Sequence, residues 1–169
     1  MDKFNKIIDK LKPHMDELVE GFEIELEQYQ KLMSQSHDSL GRVLKCHLVV
    51  EHYPTKFLSE HFKIGHLDSA NLSFAQKANL LPENGSSSAW VKPGILKLNS
   101  IRNKFGHNLN YQLTIKSLGP INKILETSQK EKFEDPILAI EKFTSVAAAF
   151  LTISPPNIKK IFDNAREGT

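Results

Sequence analysis

The sequence is poor in cysteine and in long apolar runs, and each scarcity excludes a class of protein. Among its 169 residues only Cys46 is a cysteine, so the chain can form neither an internal disulfide nor a cysteine-based zinc cluster. A reducing compartment, the cytoplasm, is therefore the expected location. No stretch approaches the roughly 18 consecutive apolar residues of a membrane span, and the N-terminal segment lacks the apolar centre of a signal peptide. We therefore expect no membrane association.

A second absence concerns charge, because no acidic residue lies between Glu83 and Glu126. The overall net charge of +2 conceals this gap. A segment of this kind is either a solvated basic face or a site for an anion such as a phosphate chain, and the charge pattern leaves both interpretations open. The basic residues of this segment are Lys92, Lys97, Arg102, Lys104, Lys116 and Lys123.

Apolar residues recur at intervals of three and four along most of the chain, which is the period of amphipathic helices. One alternating, strand-like stretch at residues 109–115 has no partner strand, so it is interpreted as an extended linker into a helix over residues 115–125. Residues 1–169 are predicted to form a single all-α domain, an antiparallel helical bundle of about five helices. The longest stripe, with Pro13 as a break or start, consists of Leu11, Met15, Leu18, Phe22, Leu26, Tyr29 and Met33.

Particular residues predict where helices begin and end. Ser73 is a candidate N-cap of a short helix, and Asp135 followed by Pro136 is a strong helix start. Pro93 suits the first turn of another helix, whereas Pro54 is expected to kink or end the helix that contains it. Gly106 is expected to follow the last helical residue in the left-handed conformation.

The segment IRNKFGHN, residues 101–108, brings together three side chains that suit RNA chemistry. Arg102 offers a rigid fork of donors to a phosphate, and His107 carries an imidazole, a side chain that can move a proton. Asn103 can hold either the histidine or the substrate. On a straight helix Arg102 and His107 would lie about 140° apart, so their convergence requires a break at Gly106. The plainer interpretation is a capped helix end, where the helix dipole favours cations.

The same spacing occurs at Arg42 and His47, which shows that the spacing alone carries little weight. That second pair lies in a strongly helical segment without a glycine. His47 and Glu51 lie four residues apart on one helix face and could share a metal ion, but the His-Glu-x-x-His pattern of zinc proteases is absent. Cys46 beside His47 is expected to be a buried structural residue, because adjacent helix positions point in different directions.

The stretch LNSIRNKFGHNL resembles the signature of the HEPN superfamily, small all-α proteins that are often RNases. That signature is an arginine, four to six residues and a histidine, frequently with a polar residue directly after the arginine; Arg102, Asn103 and His107 match it here. The upstream stretches CHLVVEHYPTKFL and LSFAQKANLL are similar to earlier helices of HEPN members related to the mannitol-operon repressor. The resemblance covers roughly residues 40–125. Gly106, where a small residue such as alanine is common, is a mild departure.

The resemblance implies a HEPN-like bundle that forms a homodimer, in which the motifs of two subunits build one RNA-cleaving cleft. Arg102, His107 and Asn103 would be the catalytic residues, with no metal and no cofactor. Many such proteins are toxins or phage-defence components beside a nucleotidyltransferase-like antitoxin, and others are catalytically silent regulatory modules. From the basic segment we expect Lys97 and Lys104 to bind RNA phosphates, and Glu51 is a candidate supporting residue.

Overall fold

The computed structural model describes residues 2–33, 38–108 and 110–152, and the chain divides into two compact units, residues 1–37 and 38–169. In the first unit, helix α1 (Asp2–Leu11) leads through a 3₁₀ turn (Lys12–His14) into helix α2 (Met15–Met33). Pro13 lies in this turn, as the sequence predicted, and the backbone angles at Leu11 and Met15 are helical on both sides of it. The unit is therefore an extended helical segment.

Within residues 38–108 and 110–152, the second unit is a bundle of five α-helices joined by loops and two 3₁₀ turns. The packing brings α3 and α5 against α7, while α4 and α6 cover the sides of α5. The described residues contain no β-strand, which confirms the predicted all-α helical bundle; the single-domain assignment stays a prediction. The helices are α3 (Asp38–Phe62), α4 (Phe74–Leu80), α5 (Ser87–His107), α6 (Pro120–Gln129) and α7 (Pro136–Leu151).

Helix α5 supplies the centre of the core. Val91, Ile95, Leu98 and Ile101 recur at intervals of three and four and are fully buried. Opposite them, α7 buries a matching stripe that includes Phe143. Because this face of α5 is held in the core, the side chains on its opposite face point outward in a fixed register. None of the described helices is long and apolar enough to cross a membrane.

The predicted helix starts at Ser73 and Asp135 are confirmed. Ser73 and Gln76 form a reciprocal capping box, and the Asp135 carboxylate accepts the backbone N–H of Ile137 at 2.7 Å, with Pro136 at the first helical position. The predicted linker is also confirmed: residues 110–114 form no strand, although the helix expected after it divides into a 3₁₀ turn (Ile115–Leu118) and α6. Leu109 lies outside the described residues.

The predictions for Pro93 and Gly106 are wrong, because tertiary packing extends the helix that contains them. Pro54 does not end α3 and is itself buried within it, while the predicted kink at Pro54 stays a prediction. Pro93 is an interior residue of α5, which begins six residues earlier at Ser87, where the Ser86 hydroxyl accepts the Ser88 N–H at 3.2 Å. Gly106 stays helical, since α5 continues through His107. Burial of the first turn of α5 against α7, including a 2.7 Å bond from Ser87 Oγ to the Phe150 carbonyl, outweighs the local proline signal.

Candidate active site on helix α5

Because α5 remains helical through Gly106, it does not bring Arg102 and His107 together within one chain. Residues five positions apart on a regular α-helix lie about 140° apart around its axis. The sequence-based expectation that His107 turns back toward Arg102 is therefore wrong. Both side chains are exposed, on different parts of the α5 surface.

His107 instead shares a face of α5 with Asn103 and Lys104. Residues three and four apart on a helix are neighbours, and these side chains border an open cleft of about 420 Å³. The cleft contains polar side chains and no carboxylate, although more of its surface is apolar than polar. Its lining consists of Leu96, Asn99, Ser100, Asn103, Lys104 and His107.

Arg102 does not line this cleft, but it is hydrogen-bonded to Asn103, which does. Its Nη1 donates a hydrogen bond to Asn103 Oδ1 at 3.1 Å. The amide side chain that follows the arginine thus connects the guanidinium to the face that carries His107. Because Arg102 is exposed, its remaining donors are directed to solvent and are accessible to an anion.

The basic residues of the acid-free segment do not form one surface. Lys92 is only 8% exposed, and its ammonium donates to the carbonyls of Asn79 and Leu81 and to the Glu83 carboxylate, at 2.9, 2.7 and 3.3 Å. It holds the loop before α5 and is unavailable to an external anion. Lys104 is exposed beside the cleft, 5.6 Å from the Tyr111 ring centre, whereas Lys97 is half-buried and does not line the cleft.

Sequence reasoning missed the polar pair beneath the cleft. Asn99, one helical turn before Asn103, accepts a hydrogen bond of 3.3 Å from Nε2 of His47 on α3 when that nitrogen carries the proton. The His47 ring is buried, with its centre 4.4 Å from that of Phe74. The helical spacing of Asn99 from Asn103 was a signal that could have identified it. His47 could be identified as the partner of Asn99 only from the packing of α3 against α5.

Glu51 lies beside His47. Its carboxylate is 3.8 Å from His47 Nδ1, which is too long for a hydrogen bond, so this buried nitrogen has no partner within the described part of the chain. Among the described residues, no ion pair or hydrogen bond joins Glu51 to Arg102 or His107. A supporting role for Glu51 can therefore act only indirectly, through His47 and Asn99.

In the other arginine–histidine pair with the same spacing, Arg42 and His47, the arginine is bound to a carboxylate. Arg42 forms a two-pronged interaction with Glu141 on α7, with Nε and Nη2 donating to the two carboxylate oxygens at 2.9 and 2.8 Å. This hydrogen-bonded pair lowers the pKa of the Glu141 carboxyl. Arg42 thus joins α3 to α7, and Cys46 on the same helix is buried, as expected from the sequence. Of the two arginines in the described bundle, Arg102 is the one whose guanidinium is open to a ligand.

No group of three His, Cys, Asp or Glu side chains within residues 2–33, 38–108 and 110–152 could hold a metal ion. His47, one of the two residues of the candidate metal pair, is buried beside Phe74 and Asn99, whereas the Glu51 side chain is partly exposed. The chemistry available at the α5 face is therefore that of an arginine, amides, a lysine and an imidazole.

Burial of His47 predicts an acid-dependent loss of stability. Burial lowers the pKa of His47 below its ordinary value of 6.5, against the opposing effects of the Asn99 hydrogen bond and the Glu51 charge. The unfolded chain therefore binds the proton first, so stability is complete above pH 6.5 and falls as the pH drops below it. We expect His47→Gln, whose amide nitrogen can replace Nε2 toward Asn99, to lose less stability than the wild type between pH 7 and 5.5.

Urea unfolding at the two pH values measures this difference. The exposed His52, on the same helix, provides the matched control as His52→Gln, which should retain the pH dependence of the wild type. Equal pH dependence of His47→Gln and wild type would show that His47 is not the group responsible.

Comparisons of the chain with protein-family models, with curated proteins and with solved structures found no match. The resemblance of residues 101–108 and their surroundings to the HEPN signature therefore supports a proposal about function and carries no assignment to a family.

Proposed function

We propose that the protein is a metal-independent endoribonuclease of the HEPN type, which cleaves RNA by attack of a 2′-hydroxyl on the adjacent phosphate. One observation carries the proposal: α5 presents Asn103, Lys104 and His107 along an open cleft that no carboxylate lines, and the exposed guanidinium of Arg102 is hydrogen-bonded to Asn103 beside it. An RNA backbone is anionic, and a carboxylate-free surface with a free guanidinium suits it electrostatically.

Each side chain has a role that its chemistry allows. His107 transfers a proton, either from the attacking 2′-hydroxyl or to the leaving oxygen. Arg102 stabilises the additional negative charge on the phosphate in the transition state. Asn103, bonded to Arg102, positions the guanidinium, while Lys104 contacts a neighbouring phosphate. Lys97 is a more remote phosphate contact, because it lies outside the cleft.

The angular separation of Arg102 and His107 supports a cleft built by two copies of the chain. A two-fold axis beside α5 would place the Arg102 of one subunit opposite the His107 of the other, since an isologous interface joins identical patches. We therefore include a homodimer in the proposal. A role as a toxin or phage-defence component, restrained by a nucleotidyltransferase-like antitoxin, follows from the HEPN resemblance alone, and a cytoplasmic location follows from the single cysteine.

The direct test is incubation of RNA with the purified protein in EDTA. We expect cleavage with products that carry 2′,3′-cyclic phosphate or 3′-phosphate ends, because the 2′-oxygen is the nucleophile. His107→Ala should slow the reaction about 100-fold or more, the usual contribution of a general acid or base. His66→Ala is the matched control, since His66 is exposed and lies outside the α5 cleft, and it should cleave as the wild type does.

A His107→Ala protein that cleaves RNA as fast as the wild type would contradict the nuclease proposal. Cleavage abolished by EDTA would contradict the metal-independent mechanism. Absence of any cleavage, with RNA still bound, would favour the alternative of a catalytically silent regulatory module of the mannitol-repressor kind.

A further inference from the structure

The helical segment formed by α1 and α2 exposes an apolar stripe along its whole length. Its side chains include Phe4 at 67% and Phe22 at 69% exposure. The helical backbone continues through the turn at Pro13, so α1 does not form a hairpin that would cover α2. Isolated helices of this length are marginal in water, and large exposed apolar faces mark interaction surfaces.

The spacing of the main apolar positions in the stripe is nearly the same when it is read backwards. About a centre between Leu18 and Val19, five apolar positions on one side have apolar counterparts at the same distance on the other, whereas Ile7, Ile24 and Leu32 have none. Two copies that run antiparallel about this centre would therefore match apolar with apolar at these five levels. The facing residues would be Phe4 with Met33, Ile8 with Tyr29, Leu11 with Leu26, and Met15 with Phe22.

The charges beside the stripe distinguish the antiparallel arrangement from the parallel one. Around α1, Lys10 and Lys12 flank Leu11, whereas in α2 Glu25 and Glu27 flank Leu26. An antiparallel pair brings these lysines to the level of these glutamates twice, once at each end, although it also places Glu17 opposite Glu20 and Lys6 opposite Lys31. A parallel pair would place each lysine and each glutamate opposite its own copy, which is repulsive. The 2.7 Å ion pair of Lys12 with Asp9 is solvent-exposed and contributes little.

The charge of α2 also argues against a membrane surface as the occupant. Six acidic residues and one lysine lie in α2, and anionic lipid surfaces attract basic segments and repel acidic ones. The same argument disfavours nucleic acid. A second copy of the same segment offers an apolar stripe to cover the exposed one, and it brings lysines to the level of Glu25 and Glu27.

We propose that α1 and α2 form an antiparallel pair with the same segment of a second copy of the chain, centred between Leu18 and Val19. The paired segments would join two chains independently of α5. The proposal does not rest on the proposed nuclease function, because it is argued only from residues 2–33.

The test uses two full-length single variants, Lys12→Cys and Glu25→Cys, with a short bismaleimide that links cysteines. In an antiparallel pair, position 12 of one copy lies at the level of position 25 of the other, while identical positions lie about 20 Å apart along the segment. We expect each variant alone to remain at the background of the wild type, whose Cys46 is buried. An equimolar mixture should form covalent dimers that combine one chain of each kind.

Three outcomes would overturn the proposal. Cross-linking of either single variant with itself would indicate a parallel pair. No cross-linking in the mixture would mean that a second copy does not cover the stripe. Cross-linking that persists when Phe22→Asp is added to both variants would mean that the apolar stripe does not hold the pair. None of these measurements depends on RNA cleavage, so failure of this proposal and of the nuclease proposal can be distinguished.

Discussion

Co-expressed Arg102→Ala and His107→Ala chains are expected to regain the RNA cleavage that each variant has lost by itself. Each homodimer lacks one of the two groups entirely. A mixed dimer retains one arginine and one histidine, located on different chains. Rescue would therefore show that the two groups act across a subunit interface, as expected from their separation of about 140° on one continuous helix.

The expected size of this effect is large because the two single losses are large. Removing a proton-transfer group costs about 100-fold or more in rate, and loss of a group that stabilises transition-state charge costs a similar factor. Even a minority of mixed dimers would thus raise activity well above that of either variant. The mixed dimer is isolated with two different affinity tags, and its initial rate is compared with the rates of both homodimers.

Two controls make the result interpretable. A mixed dimer of wild type with a chain carrying both substitutions measures the activity of a cleft that retains one complete set from one chain. If this control is active and the Arg102→Ala and His107→Ala mixture is not, both groups must act from the same chain. That result would contradict the cross-subunit cleft and would require α5 to unwind near Gly106 when RNA binds.

Gly94→Ala is expected to destabilise the protein by about 1–3 kcal/mol, the usual cost of inserting atoms into a packed core. Gly94 lies where α5 packs against Phe143 of α7 and Ile124 of α6. A Cβ at this position would overlap the ring edge of Phe143 and lie 2.9 Å from Ile124 Cδ1. Phe143 is fully buried, so its ring cannot move away without disturbing the core.

Gly106→Ala is the matched control on the same helix, with the opposite expected sign. A Cβ at Gly106 meets no atom within 4 Å, and α5 is helical at this position. Alanine should therefore stabilise the protein by roughly 0.5–1 kcal/mol through the reduced entropy of the unfolded chain. Urea unfolding of both variants measures the difference.

Whether Gly106→Ala raises or lowers the free energy of unfolding also tests where α5 ends. If Gly106 were in the left-handed conformation predicted from the sequence, alanine would be strained there and the protein would lose stability. Similar changes in stability at Gly94 and Gly106 would contradict the close approach of α5 and α7.

The sequence by itself determined the helical class and several helix starts of this protein. Apolar periodicity and capping depend on residues within one or two turns of each other, so Ser73, Asp135 and the break at Pro13 were predictable from nearby residues. The symmetric apolar stripe of residues 4–33 is likewise a property of the sequence alone.

Only the tertiary structure decided which charged and polar groups are free. Arg42 and Arg102 have the same spacing to a histidine. The guanidinium of Arg42 is hydrogen-bonded to Glu141, 99 positions away, while that of Arg102 stays exposed. Lys92 belongs to the acid-free segment, yet it is buried and its ammonium is hydrogen-bonded to the carbonyls of Asn79, in α4, and Leu81, directly after α4. The continuation of α5 through Pro93 and Gly106 was decided in the same way, because the free energy of core packing exceeds the weak local preferences that mark helix ends.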